Sequence, residues 1–288
     1  MIHGILNVYK ETEMTSHDVV AILRGLTKQR RIGHTGTLDP MVTGVLPICF
    51  GNATRLSEYI SDQGKAYIGI LEFGYSTNTL DQTGDILGTS EKINFTTEEV
   101  KDCFSKFIGT IDQLPPMFSA VKIAGKKLYE LARVGKEIER KPRKITIHRL
   151  DVLEHTENKV KFLCSCSKGT YIRQLVYDIG ISLGTLATMI QLERVEVGPF
   201  KIEDAVSVSK LKKMTVEEIE KRTYPMDYAV DNLPKIKLSN REGYLVRNGV
   251  KVELDEDKHE LHDVDIYNEE TTYRVYDERF IGLGNFAC

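Results

Sequence analysis

The stretch from Gly33 to Pro47, Gly-His-Thr-Gly-Thr-Leu-Asp-Pro-Met-Val-Thr-Gly-Val-Leu-Pro, sets the first limit on what this chain can fold into. Glycines at 33, 36 and 44 open backbone conformations closed to other residues, while Pro40 and Pro47 fix φ and remove amide donors. No regular helix runs through such a string, so it reads as a stiff loop carried by elements that supply the core. It holds one acid, Asp39, and no second carboxylate. Two readings are open at this point. One is an Asx turn in which Asp39 bonds its own backbone; the other is a catalytic loop that keeps one carboxylate in a fixed place.

The elements around the loop follow from hydrophobic periodicity. Ile5–Tyr9 reads as a strand, and Thr15-Ser16-His17-Asp18 caps an amphipathic helix through Val19, Val20, Ile22, Leu23 and Leu26. That helix is expected to end in Lys28-Gln29-Arg30-Arg31, where cations suit the negative end of the dipole and also stand where phosphate would arrive. Lys65–Phe73 is nearly continuous in apolar residues and reads as a strand buried on both faces. Thr77–Asp85 reads as loop, and Thr96–Glu99 caps a helix whose Val100, Cys103, Phe104 and Phe107 form a core stripe. Leu114-Pro115-Pro116 breaks the pattern. A short helix at Lys126–Ala132 and strands at Ile145–Ile147 and Val160–Ser167 follow. Lys168-Gly-Thr-Tyr-Ile-Arg173 then turns into a helix with Ile172, Leu175, Val176, Ile179 and Leu183 on one face. Arg173 at its N-terminus works against the helix dipole, so another contact should reward it.

Beyond Pro225 the runs shorten to Tyr244–Val246, Val250–Leu254, Val264–Tyr267, Tyr273–Tyr276 and Phe280–Leu283, with Asn248-Gly249 as a hairpin-turn signal. They predict a small all-β domain starting near residue 230. A chain of 288 residues can bury a full core and still carry such an appendage. No apolar run approaches the roughly 18 residues of a membrane span, and the N-terminus lacks a basic region and cleavage site, so a soluble, unexported protein is expected. Five cysteines at 49, 103, 164, 166 and 288 show no CxxC spacing, which argues against a zinc site or disulfide framework and for a reduced cytoplasm. Cys164 and Cys166 fall on one face of a strand, as core.

Formal net charge is −3, but its distribution is uneven. Lys122 to Arg149 holds ten basic residues against three acidic ones, and Lys251 to Arg279 four basic against eleven acidic. The first segment suits a polyanion, the second a solvated surface.

Arg30-Arg31-Ile-Gly-His-Thr-Gly-Thr-Leu-Asp-Pro, continuing to Thr43-Gly-Val-Leu-Pro47, resembles the catalytic motif of the tRNA pseudouridine-55 synthases, the TruB family. Lys65-Ala-Tyr67, the acidic loop Thr77–Asp81, Pro116-Met-Phe-Ser through Tyr129, and Lys168–Arg173 resemble further segments of that family in the same order. The likeness runs from about Ile5 to Arg194, with a weaker one to a PUA-type domain at the C-terminus. It implies an α+β fold: a catalytic domain over 1–229 around a mixed, largely antiparallel sheet, a basic RNA-gripping insertion at about 118–150, and a small β-rich PUA-like RNA-binding domain over 230–288.

The implied reaction moves uracil from an N1 to a C5 linkage on C1′ of one uridine in the tRNA T-loop. Breaking a glycosidic bond develops positive charge on the sugar, which one carboxylate can stabilise or trap. Asp39 is that carboxylate by resemblance, with Arg173 beside it, Asp81 steadying the guanidinium, and Tyr67 stacked on the base near C5. His34 matches a position that holds flipped-out nucleotides, though a lone loop histidine is otherwise structural; Leu192 lines the pocket or is simply core. Arg31 and Arg55 are candidates for phosphate, as are Lys122, Lys126 and Lys127 in the insertion. No redox change or phosphate transfer occurs, so no cofactor or metal is required. The partner is the T-arm of tRNA, with no membrane or obligatory protein partner.

The chain departs from the family where Lys10-Glu11-Thr12-Glu13 lacks a usual Pro and Gly, at Asn78 in place of a frequent acid, and at Glu193 in place of a basic residue. Two other functions stay open: a tRNA-binding or folding factor in which Asp39 is idle, and a hydrolytic glycosidase, which would ordinarily need a second carboxylate to activate water.

Overall fold

The computed structural model describes the chain apart from residues 120, 124, 133, 255–259, 263–270 and 286–288, with backbone alone at 122, 123, 127 and 260–262. Cys288 and the strand expected at Val264–Tyr267 lie outside the described residues. The chain opens with β1 (Gly4–Lys10), α1 (Ser16–Thr27), β2 (Ile32–His34), β3 (Thr43–Phe50), α2 (Ser57–Asp62) and β4 (Lys65–Phe73). A hairpin of β5 (Tyr75–Thr77) and β6 (Ile86–Thr89) follows, then α3 (Thr97–Ser105) and β7 (Gly109–Gln113). A small excursion holds β8 (Lys122–Ile123), β9 (Lys126–Lys127) and α4 (Leu128–Ala132). The core resumes with β10 (Arg143–Thr156), β11 (Lys159–Cys166), α5 (Ile172–Ser182), β12 (Ala187–Val197), β13 (Phe200–Lys201), β14 (Val206–Ser207), α6 (Val208–Leu211) and α7 (Val216–Lys221).

These strands form one sheet in the order β14-β1-β3-β12-β4-β11-β10-β7, with β2 on β3 and β13 on β12. Most pairs are antiparallel; β1–β14 and β3–β12 are parallel, so the sheet is mixed and the class is α+β. Both faces are covered, as the strand alternation demands. On one face Leu6, Val8, Leu46, Ile48, Leu71, Phe73 and Phe162 pack against Val19 and Leu23 of α1, Phe104 of α3 and Leu175, Val176 and Ile179 of α5. On the other, Ile5, Val45 and Cys49 pack against Ile60, Phe200 and Ala229. The parallel contact of β3 with β12 is close. Gly44 sits at φ +108°, and a Cβ there would meet the Arg194 carbonyl oxygen at 2.1 Å. This approach brings the loop preceding β3 to the middle of the sheet.

Several local expectations are corrected. β4 alternates buried and half-buried positions rather than being buried on both faces, since only Tyr67, Gly69, Leu71 and Phe73 face the larger core. α1 stops at Thr27, where Lys28 takes a left-handed conformation at φ 54°. Lys28 is itself the C-cap, as the basic run suggested, but the following Gln29 is buried on the backbone of Ile2, so the run turns away from the helix after its first residue. Thr77 ends a strand instead of starting a loop. Arg143–Arg149 belongs to β10 in the main sheet, so the excursion is shorter than the expected insertion. The box Thr15–Asp18, the box Thr96–Glu99 and the buried Cys164 and Cys166 stand as read.

A second sheet holds β15 (Lys235–Lys237), β16 (Glu260–His262), β17 (Thr272–Tyr276) and β18 (Phe280–Asn285), in the order β16-β15-β17-β18. Its own core is small, centred on Ile236, Leu238 and Tyr273, and β18 lends Phe280 and Leu283 to the second face of the main sheet. Between β15 and β16 lies α8 (Asn240–Arg247), where strand was expected. Ser239 and Glu242 form a capping box, and Asn248-Gly249 terminates the helix instead of turning a hairpin. Residues 251–254 form no strand.

Candidate active site

Asp39 lies in the loop between β2 and β3, and the loop is tied down on both sides of it. Leu38 and Val42 are buried in the larger core, so the two side chains flanking Pro40 and Asp39 act as anchors. Ser16 Oγ accepts from the Leu38 amide at 2.9 Å, the Val42 amide donates to the Asp39 carbonyl at 3.0 Å, and the Glu13 amide donates to the Pro40 carbonyl at 3.1 Å. Lys10, fully buried at the end of β1, donates to Pro40 O at 3.1 Å and Met14 O at 2.7 Å. Burial pushes its ammonium down to about 8, opposed by the charge of Asp39.

With the loop fixed, the Asp39 carboxylate meets Arg173 at the first turn of α5. Arg173 Nη2 lies 2.9 Å from Asp39 Oδ2, and Nη1 lies 3.5 Å from Asp81 Oδ2. The guanidinium also donates to Thr79 O at 2.8 Å and Phe118 O at 2.9 Å, so four acceptors repay its place at an unfavourable helix end. Asp39 keeps 43% of its side chain exposed, whereas Arg173 and Asp81 keep 8% and 6%. Asp39 is thus the member of the chain that a substrate can reach. The turn of the β5–β6 hairpin presents Asp81, whose Oδ1 accepts from the Thr79 hydroxyl at 2.8 Å and the Thr83 amide at 3.0 Å. That oxygen is spent on its own loop, and the other faces Arg173.

Tyr67 on β4 and Arg194 on β12 are directly opposed across the sheet, as are Gly69 and Leu192. Arg194 is 1% exposed and donates from Nε to Val45 O at 2.7 Å and from Nη2 to Gly36 O at 3.1 Å. Burial pushes Tyr67 up to about 12, against the pull of the guanidinium. Leu192 is buried against the Gly69 position, where a Cβ would come within 3.1 Å of its Cδ1. His34, half-buried, takes the Gly36 amide on Nδ1 at 3.3 Å and packs edge-on against His17. Burial, then His17 and Arg194, hold its imidazole below the usual range.

The remaining predicted contacts lie elsewhere. Arg31 is exposed and bonds Thr54 Oγ1 at 2.9 Å and Asn52 Oδ1 at 3.2 Å, beside the exposed Arg55. Neither pairs with Asp39 or Asp81 among the described residues. Lys126 is exposed on β9; the side chains of Lys122 and Lys127 lie outside the described residues. Among the described residues no three of His, Cys, Asp or Glu gather into a set fit for a metal ion. Arg194 and Lys10 were missed from sequence. Arg194 carried a signal: it repeats the phase of Leu192 on a strand, so a charged residue occupies a core-facing position. Glu193, which departs from the family pattern, accepts from the Tyr9 hydroxyl at 2.7 Å and the Thr43 hydroxyl at 3.3 Å.

An exposed carboxylate held on a buried guanidinium, in a loop that β3 carries to the middle of a mixed sheet, goes with family matches that make the chain a pseudouridine synthase, an isomerase. The chain belongs to the TruB family: residues 24–172 match the model described as TruB family pseudouridylate synthase (N terminal domain), and 173–231 match the tRNA pseudouridylate synthase B C-terminal domain. It is 44% identical over 290 residues to a tRNA pseudouridine synthase B of Clostridium perfringens, covering 98% of this chain and 94% of that one. It is 42% identical to its counterpart in Staphylococcus aureus, covering 96% and 93%. Among solved structures it resembles a chain of a Cbf5–Nop10–Gar1 complex, with TM-score 0.76 and 28% identity over 98% of this chain and 78% of that one. It also resembles a chain of an H/ACA ribonucleoprotein bound to a substrate RNA containing 2′-deoxyuridine, with TM-score 0.75 and 25% identity over 98% and 78%.

Proposed function

We propose that this protein converts the T-loop uridine of tRNA, uridine-55, to pseudouridine without a cofactor, with Asp39 as the reacting carboxylate. The observation that carries the reading is the Asp39–Arg173–Asp81 chain, which offers one exposed carboxylate and commits the second to a guanidinium and its own loop. A hydrolase would need a second carboxylate placed for water, and Asp81 is not so placed. The names of the relatives at 42% and 44% identity support tRNA as the substrate.

The target nucleotide is flipped out of the loop and its base stacks on Tyr67 near Leu192. Asp39 either attacks C1′ or removes the 2′ proton; in each route the C1′–N1 bond breaks and its electron pair stays on the uracil. The uracil turns and C5 bonds to C1′; in the first route the C1′–O ester to Asp39 breaks and frees the carboxylate, in the second Asp39 returns its proton to C2′. The C5 proton then leaves to a base, for which the Tyr67 oxygen is placed near C5 by family resemblance. Arg173 balances charge on Asp39 through this sequence while Asp81 fixes the guanidinium. His34 holds displaced nucleotides, and Lys122, Lys126, Lys127, Arg31 and Arg55 meet phosphates. Residues 230–288 serve as a small PUA-like RNA-binding domain appended to the catalytic domain of 1–229.

The test is to incubate an unmodified tRNA transcript with the protein and map pseudouridine by carbodiimide adducts. A single stop at uridine-55 is expected. Modification elsewhere, or none, overturns the reading. Binding should weaken steeply with salt; a flat response would remove the phosphate contacts.

A further inference from the structure

We propose that Arg194 is a positioning residue that locks the Tyr67 hydroxyl and both ends of the Asp39 loop into one frame; the inference rests on the pseudouridine synthase reading above. Its contacts reach Gly36 ahead of Asp39 and Val45 behind it, so one guanidinium spans the loop. The same arginine is paired directly with Tyr67 across the strands, and its charge pulls the phenol down against burial. The two reacting parts of the site come from different elements, the Asp39 loop and β4, and Arg194 is where they meet. A Cβ at Gly36 would lie 3.6 Å from Nη1 and 3.7 Å from Lys65 Cε, at ordinary contact distance, so the loop packs directly against both side chains.

The cost of the arrangement argues for function. Arg194 has no carboxylate partner among the described residues, although it is the largest side chain buried below 2% exposure. A buried charge without a counter-charge is a burden on folding, and well-packed apolar replacements of buried ions are often neutral or stabilising. Lys10 and Lys65 deepen the burden: burial holds each down to about 8, with the charge of Arg194 adding to it at Lys65 and, against the larger opposing pull of Asp39, at Lys10. Three cations gathered there are a poor way to build a core. Lys10 and Arg194 instead hold the Asp39 loop, through the carbonyls of Pro40 and of Gly36 and Val45.

The test compares wild type, Arg194→Met, Arg194→Lys, Tyr67→Phe and the Tyr67→Phe/Arg194→Lys double variant in thermal stability, tRNA Kd and single-turnover rate of tritium release from C5-labelled uridine. Arg194→Met should melt no lower than wild type, bind tRNA with unchanged Kd, and react on the order of 10²-fold more slowly, as loss of geometry predicts. Arg194→Lys should recover part of the rate. In the Tyr67→Phe background the effect of Arg194→Lys should shrink, because the hydroxyl through which it acts is gone. A rate equal to wild type, or a loss matched by lower melting in both Arg194 variants, or strict multiplicativity with Tyr67→Phe, would overturn the inference. If wild type itself releases no tritium the synthase reading fails, and this inference with it.

Discussion

Arg173 and Arg194 are 7% and 1% exposed, and both touch the Asp39 loop, but their surroundings differ in kind. Arg173 sits between two carboxylates and two carbonyls and reaches the one side chain that substrate can approach. Arg194 has carbonyls and a phenol around it, with Lys10 and Lys65 close enough to repel it. In the proposed reaction the first neutralises charge at the reacting group, and the role proposed for the second is to fix geometry at an electrostatic penalty. A buried cation in an active site therefore need not be there for its counter-charge, and substitution should separate the two cases.

The largest effect is expected for Arg173→Met. It leaves Asp81 buried without its cation, which costs about 3–5 kcal/mol of stability, and it removes the partner of Asp39, so urea unfolding and single-turnover rate should both fall steeply. Arg173→Lys restores a charge but not the fork and should still be slower by at least about 10²-fold. By contrast Arg194→Met should stay within about 1 kcal/mol of wild type or exceed it. If the two methionine variants lost equal stability, the distinction between the sites would collapse.

A middle-sized effect is expected from pH. The folded Lys65 titrates at about 8 because of burial and then the charge of Arg194, and the unfolded one near about 10.4. Between those values the unfolded chain holds more protons, so the Lys65 contribution to stability rises with pH and the penalty is fully present below about 8. Lys65→Met should therefore gain on wild type by up to about 3 kcal/mol at pH 7 and lose that advantage by pH 10, measured by urea unfolding. A gap that did not change with pH would mean that Lys65 is not strained by its surroundings. The smallest effect belongs to the exposed Arg55→Ala: tRNA binding should weaken by less than about tenfold and the salt slope flatten by about one unit, with the catalytic rate unchanged.

Much of the site was legible because its residues occur in uninterrupted strings. Asp39 sits in a Gly- and Pro-rich run that excludes helix, and Arg173 stands at a helix N-terminus where a cation needs a special reason, which the structure supplies as Asp39 and Asp81. Arg194 was overlooked because its partners are backbone carbonyls and a cross-strand tyrosine, all contacts that depend on sheet order, and strand phase alone marks it. Lys10 was hidden for the same reason, since its acceptors are carbonyls of two loops. In the C-terminal region, Tyr244-Leu-Val looked like strand, but Ser239 and Glu242 three residues apart had already written a helix start. Local capping chemistry outweighed a short β-prone run there. The alternation of β4 was missed because half-buried isoleucines on its second face look the same in sequence as fully buried ones.

The most direct measurement is tritium release from tRNA labelled at uridine C5, with wild type and Asp39→Asn compared at saturating enzyme. Wild type should release the label and form no free uracil, while Asp39→Asn should bind tRNA with unchanged affinity and release none. Release by Asp39→Asn at the wild-type rate would contradict the assignment of Asp39 as the reacting carboxylate.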